Sequence, residues 1–164
     1  MYVFYVSRTG GTKHFVGQHL LPALRHYPAV LSGDPEGALT RGPRAVCASS
    51  SEELEGALGE MGDREPYLVV FPVYARRDYE SGELVNTVPR EVRLLVERVG
   101  YPPVGAVVGG NRTFGPAFGV VNPSELPGVP VLCRFELSGT REEGETAARA
   151  LQSVAFVSDG VSEP

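Results

Sequence analysis

The string Ser7-Arg8-Thr9-Gly10-Gly11-Thr12 sets three hydroxyls and two glycines directly after an apolar run and just ahead of a helical pattern. Hydroxyl donors, bare backbone N–H groups and the positive end of a helix dipole suit a phosphate. The same residues can also serve only as a cap and a turn. A Walker loop would need Lys and then Ser or Thr after its last glycine, and a dinucleotide loop would need three spaced glycines. Neither pattern is present, so a monophosphate on a small ligand fits the string better.

Two further loops carry ligand chemistry. Pro72-Val73-Tyr74-Ala75-Arg76-Arg77-Asp78-Tyr79 is long and aromatic, and Gly109-Gly110-Asn111-Arg112-Thr113-Phe114-Gly115 combines glycines, an amide and a flat apolar ring. Glycines let backbone approach a ligand closely, and Asn111 offers both a donor and an acceptor. A lone aromatic in either loop would do no more than roof the core. Tyr74 and Phe114 converging with a phosphate-type loop point instead to a site that sandwiches a planar ring.

The elements that must position these loops are four short apolar runs, Tyr2 to Val6, Tyr67 to Val73, Val104 to Val108 and Val129 to Phe135, which read as fully buried strands. Helical periods lie between them. Phe15, Val16, Leu20 and Leu24 mark a first helix, and Val92, Leu95, Val96 and Val99 mark another with Pro89 in its first turn. Thr140 and Glu143 form a capping box opening a last helix that faces the core with Ala147, Leu151, Val154 and Ala155. Strands alternating with helices of this length predict an open α/β sheet with parallel strands and helices on both faces. In such a sheet, ligands bind beyond the carboxyl ends of the strands, where strand order reverses.

The stretch from Pro28 to Pro66 is open to two readings. One puts a second strand at Ala45 to Ala48, followed by a helix capped by Ser50 and Glu53 that buries Leu54, Leu58 and Met61. The other puts that strand near Leu24 to Tyr27 and makes the remainder an insertion; for the family reason given below, this reading is preferred. One domain over 1–157 is expected, with an insertion at about 28–64 and a short tail over 158–164.

Composition excludes several classes. The 164 residues carry 15 basic and 20 acidic side chains for a net charge of −5, which argues against a nucleic-acid binder or a polybasic membrane-surface protein. No apolar run reaches the length of a membrane span, and the N-terminus has no secretory pattern, so a soluble cytoplasmic protein is expected. Cys47 and Cys133 stand far apart and read as reduced, semi-buried residues. His14, His19 and His26 do not repeat at ligand spacing, and no metal site is expected. No arginine follows Cys47 as in a phosphatase loop, and the first strand does not end in the acidic pair of a receiver domain. The glutamates at 52, 53 and 55 and at 142, 143 and 145 read as solvated faces near helix starts.

With all three loops in view, the sequence resembles the NrdI family, the flavodoxin-like activators of class Ib ribonucleotide reductase. The residues that carry the resemblance are Ser7 to Thr12 with Phe15-Val16, Glu65-Pro66-Tyr67 leading to Pro72-Val73-Tyr74, Val88-Pro89-Arg90, Gly110-Asn111-Arg112-Thr113-Phe114-Gly115, and Val129-Pro130-Val131 running into Arg134-Phe135-Glu136-Leu137-Ser138-Gly139-Thr140. The resemblance implies a flavodoxin-like, five-stranded parallel sheet that holds FMN. It implies that Ser7, Arg8, Thr9, Gly10, Gly11 and Thr12 surround the phosphate. Pro72, Tyr74, Ala75 and Arg76 would pass along the flavin ring, with Gly110, Asn111, Arg112, Phe114 and Gly115 on its other side. Family members use reduced flavin to turn dioxygen into superoxide for the dimanganese centre of the reductase's small subunit, which generates a tyrosyl radical. The implied partners are that small subunit and a separate reductant of the flavin. The flavin carries the chemistry, so an accessory flavoprotein with no catalytic side chain is expected. The alternatives are a general flavodoxin-type electron carrier and a flavin-free interaction module.

The sequence departs from the family pattern at Gly11, where asparagine is frequent, at Gly109, where alanine or a small polar residue is common, and at Ala75-Arg76-Arg77, where many members have a glycine run. The two arginines are expected to raise the potential of the couple that ends in the reduced anion. The family also passes quickly from the Leu21-Pro22-Ala23 position to Glu65-Pro66-Tyr67, whereas here a long stretch intervenes; this is why the insertion reading is preferred.

Overall fold

Alternating apolar residues in the central strands serve two cores at once. In the computed structural model, which describes residues 1–29, 42–77 and 79–159, β1 (Tyr2–Tyr5) and β3 (Tyr67–Pro72) are buried along their whole length. Val3, Tyr5, Leu68 and Val70 face one layer of helices, and Tyr2, Phe4, Tyr67, Val69 and Phe71 face the other. The period of two and burial on both faces together make continuous apolar runs, as the sequence predicts for a parallel sheet.

The other sheet strands are β2 (Arg44–Cys47), β6 (Gly105–Gly110) and β7 (Val131–Glu136), and a small antiparallel hairpin is formed by β4 (Arg76–Arg77) and β5 (Leu84–Val85). The five-stranded sheet is parallel throughout and ordered β2-β1-β3-β6-β7. The chain therefore leaves β1 toward one edge and, from β3, winds toward the other. The reversal lies between β1 and β3, and it opens a crevice at their carboxyl ends.

The first helix begins as α1 (Gly11–Phe15), widens into a π-helical stretch over Val16–Leu20, and continues as α2 (Leu21–His26). It packs with α5 (Arg141–Asp159) on one face of the sheet, around Phe15, Leu20, Leu24, Phe135, Ala147 and Leu151. The opposite face is covered by α3 (Ser51–Glu60) and α4 (Arg90–Val99), through Ala57, Val92 and Leu95.

The structure corrects the preferred second-strand reading. Residues Leu24 to His26 belong to α2, and the edge strand is Arg44–Cys47, in register with Tyr2 to Tyr5. The helix that follows is capped by Ser50, whose Oγ accepts from the Glu53 N–H at 3.4 Å. The stretch read as an insertion thus supplies a strand and a helix, while residues 30–41 within it, Asp78, and the expected tail from 160 onward lie outside the described residues. The run at Val129 to Phe135 is also not fully buried. β7 is an edge strand, with Val131 and Arg134 exposed and Leu132 and Phe135 buried. Pro89 stands one residue before the helix, at the N-cap of α4.

Candidate functional site

The loop after β1 is shaped by its own backbone. Gly10 adopts a left-handed conformation (φ 89°) at the start of α1, which a Cβ would disfavour. The Ser7 hydroxyl accepts the Lys13 N–H at 3.2 Å, and the first intrahelical bond runs from the His14 N–H to the Gly10 carbonyl at 2.9 Å. The N–H groups of Gly11 and Thr12 precede that bond and so have no acceptor within the helix. Gly11 is wedged against the turn after β7, where a Cβ would come within 2.8 Å of the Leu137 carbonyl oxygen.

The loop after β6 is fixed by an Asx turn and a clamp. Asn111 Oδ1 accepts the Thr113 N–H at 2.9 Å and the Thr113 hydroxyl at 2.7 Å. The sequence reading gave Asn111 both a donor and an acceptor toward a ligand; the oxygen is engaged within the loop. Arg112 pairs with Glu136 at 3.1 Å and with Glu143 at 3.4 Å, and its guanidinium lies over the Phe118 ring at 5.0 Å. Glu143 also closes the capping box, accepting the Thr140 N–H at 2.8 Å while Thr140 Oγ1 accepts the Glu143 N–H at 3.2 Å. One carboxylate therefore ties the Arg112 loop to the start of α5.

Beyond β3, the Val73 N–H donates to the Gly109 carbonyl at 2.8 Å and extends the ladder by one residue. The chain then turns out at Tyr74, which is 51% exposed, into the hairpin that carries Arg76 and Arg77. Both arginines are exposed, and the Arg77 guanidinium donates to the Gly82 carbonyl at 2.7 Å. Asn86, just past the hairpin, holds it to the other loop through bonds from Nδ2 to the carbonyls of Ala117 and Val120 at 2.6 and 2.9 Å.

These loops meet around a cavity of about 150 Å³ at the carboxyl ends of β1, β3 and β6. Of the residues singled out in the sequence, Thr9, Gly11, Thr12, Pro72, Tyr74, Gly110, Asn111 and Phe114 line it. Ser7 and Gly10 shape the first loop from behind. Arg8 reaches Glu91 of α4 at 3.7 Å, Arg112 is held by its two glutamates, and Ala75, Arg76 and Gly115 lie along the loops outside the lining. Val73, Gly109 and Leu137 join the lining although sequence reasoning did not select them as site residues. Gly109 leaves room for the Phe135 ring, whose Cζ would be 2.6 Å from a Cβ there. A larger apolar groove of about 600 Å³ runs beside the cavity, along Val85, Pro116, Ala117 and Val120, and shares Phe114 with it. Behind the first loop, burial pushes the Tyr5 phenol up, with Cys47 and Glu53 adding to the shift.

Donor chemistry from the first loop and two exposed aromatics from the other two, around one cavity, suit a nucleotide with a terminal phosphate and a planar ring. The strand order, the position of the reversal and this loop chemistry define a flavodoxin-like α/β protein. The fold is shared with a solved structure, the metal-soaked Flv1 flavodiiron core from Synechocystis sp. PCC6803, at a TM-score of 0.51 and 12% identity over 98% of this chain and 36% of that one. The family described as NrdI Flavodoxin like matches residues 3–148. The chain is 32% identical over 148 residues to Protein NrdI of Bartonella tribocorum, covering 86% of this chain and 85% of that one. It is 36% identical over 84 residues to Protein NrdI of Bifidobacterium animalis subsp. lactis, covering 49% and 56% of the two chains. The chain belongs to the NrdI flavodoxin-like family.

Proposed function

We propose that this chain binds FMN at the cavity and, with the flavin reduced, supplies the oxidant that assembles the dimanganese–tyrosyl radical cofactor of a class Ib ribonucleotide reductase small subunit. The observation that carries the reading is the meeting, around one cavity, of helix-start N–H groups and threonine hydroxyls with Tyr74, Phe114 and a pair of glycines. When bound, the flavin supplies one-electron reduction of dioxygen to superoxide. The chain's own residues do the rest. Thr9, Thr12 and the Gly11 N–H hold the phosphate, supported by Ser7 and by the turn at Gly10. Tyr74 and Phe114 give the ring apolar faces and keep water from it, and Asn111, whose oxygen is spent on Thr113, offers its Nδ2 as a donor. The Arg112 clamp, with Glu136 and Glu143, holds the Phe114 loop in place. A separate cytoplasmic reductant recharges the flavin.

The test is in two stages. Purified protein is titrated with FMN and followed by flavin absorbance and fluorescence; saturable uptake is expected, and a colourless protein that takes up no FMN points to a flavin-free interaction module. The reduced protein is then mixed with manganese-loaded small subunit and oxygen, and the tyrosyl radical is read by electron paramagnetic resonance. Radical formation supports the proposal, whereas flavin uptake without radical assigns a general electron carrier.

A further inference from the structure

The turn joining β7 to α5 contains a leucine that the fold has no evident reason to prefer. Leu137 has a φ of 52°, one of two positive values at non-glycine residues among the described residues; the other is Arg64, in an exposed turn. The turn is closed by the Gly139 N–H, which donates to the Glu136 carbonyl at 2.7 Å. A positive φ at the first central residue of such a turn is the province of Gly, Asn and Asp. A leucine there strains the backbone. It is also 64% exposed, so it gains little core burial in return.

The backbone of Leu137 is nevertheless held from two sides. Its N–H donates to the Gly110 carbonyl at 3.0 Å, and its carbonyl oxygen is packed against Gly11. Both neighbours belong to the loops that form the cavity, and the leucine lines that cavity together with Thr12, Asn111 and Phe114. Strain that the surroundings hold in place at a ligand cavity points to a role in binding.

We propose that Leu137 is a cofactor-binding residue: the strained turn presents its side chain at the cavity as an apolar wall that bound FMN covers. The proposal rests on the FMN reading above. It predicts that relieving the strain and keeping the affinity are incompatible at this position.

Leu137→Gly and Leu137→Ala are compared with the unaltered chain by FMN fluorescence titration and by melting of the ligand-free protein. Both variants should bind FMN roughly tenfold more weakly, the loss expected for part of a leucine's burial. Ligand-free Leu137→Gly should melt about 2 to 4 °C higher, because glycine accepts the positive φ. Leu137→Ala keeps the strain and should show no such gain, which separates the lost side chain from the altered backbone. If the unaltered chain binds FMN and both variants match it within about twofold, the proposal is overturned and the leucine serves an outward face. If Leu137→Gly loses affinity but also melts below the unaltered chain, the proposal is equally overturned, because the leucine then supports the fold. If the unaltered chain takes up no FMN, the flavin reading itself falls, and this inference falls with it.

Discussion

At the scale of single residues, the charges beside the cavity set what a bound flavin would feel. A guanidinium about 4 Å from an anionic reduced flavin contributes about 1 kcal/mol in water-like surroundings and about 4 kcal/mol at an effective dielectric near 20. On a one-electron couple this is very roughly 40 to 170 mV. Arg76 and Arg77 are exposed, and Arg77 is tied to Gly82, which places the effect toward the lower figure. Replacing both by glycine should lower the potential of the couple that ends in the reduced anion by tens of millivolts, and added salt should shrink the difference. Potentiometric titration of the flavin checks this; two unmoved potentials would reject it. Of the residues singled out in the sequence, Thr9, Thr12, Tyr74, Asn111 and Phe114 line one cavity, whereas Arg8, Ala75, Arg76, Arg112 and Gly115 do not. Leu137 was hidden because its significance lies in a backbone angle, which residue type does not advertise.

At the scale of elements, glycines decide how closely the first helix and α5 approach. A Cβ on Gly144 would meet the His19 carbonyl oxygen at 2.6 Å, within the π-helical stretch. Helix propensity alone favours Gly144→Ala by about 1 kcal/mol. Overpacking against a backbone oxygen that cannot rotate away costs about 1 to 3 kcal/mol, so the substitution should destabilise the protein. Gly56→Ala in α3, where a Cβ meets nothing within 4 Å, should instead stabilise it by about 0.5 to 1 kcal/mol. Urea unfolding of the two variants checks the contrast; a stabilised Gly144→Ala would show that the helices separate at little cost. The capping signals at Ser50 and Thr140 were readable because they act within four residues, and both appear as bonds. The edge strand Arg44–Cys47 was harder to place. It is short, only Val46 is buried, and its neighbour β1 is distant in sequence, so local pattern could not outweigh the competing apolar positions at Leu24 to Tyr27.

At the scale of the whole molecule, groups held wholly or partly buried in neutral form make the fold sensitive to alkali. Burial pushes the Cys133 thiol from its ordinary value of 9.0 up to about 11, with Glu143 adding to the shift, and burial beside Tyr101 pushes the Tyr67 phenol up as well. A folded-state pKa above the unfolded one means that the native state holds more protons through that window. Its contribution is fully present below about pH 9 and drains away as pH rises toward 11. The melting temperature should therefore fall between those values, and Cys133→Ala should start lower but lose less across the same range; equal slopes would remove Cys133 as a cause. Among the described residues, no helix is long and apolar enough to cross a membrane.

Periodicity, turn chemistry and charge are local, and from them the chain alone determined the alternation of strands and helices and the parallel sheet. Relations between distant segments are not local. The order of strands in the sheet, the pairing of Arg112 with Glu136 and Glu143, and the wedging of Leu137 between Gly11 and Gly110 exist only once loops far apart in sequence share one sheet edge. Tertiary packing selects these contacts, because burial and backbone bonding are satisfied jointly across the molecule and no short window of sequence contains both partners.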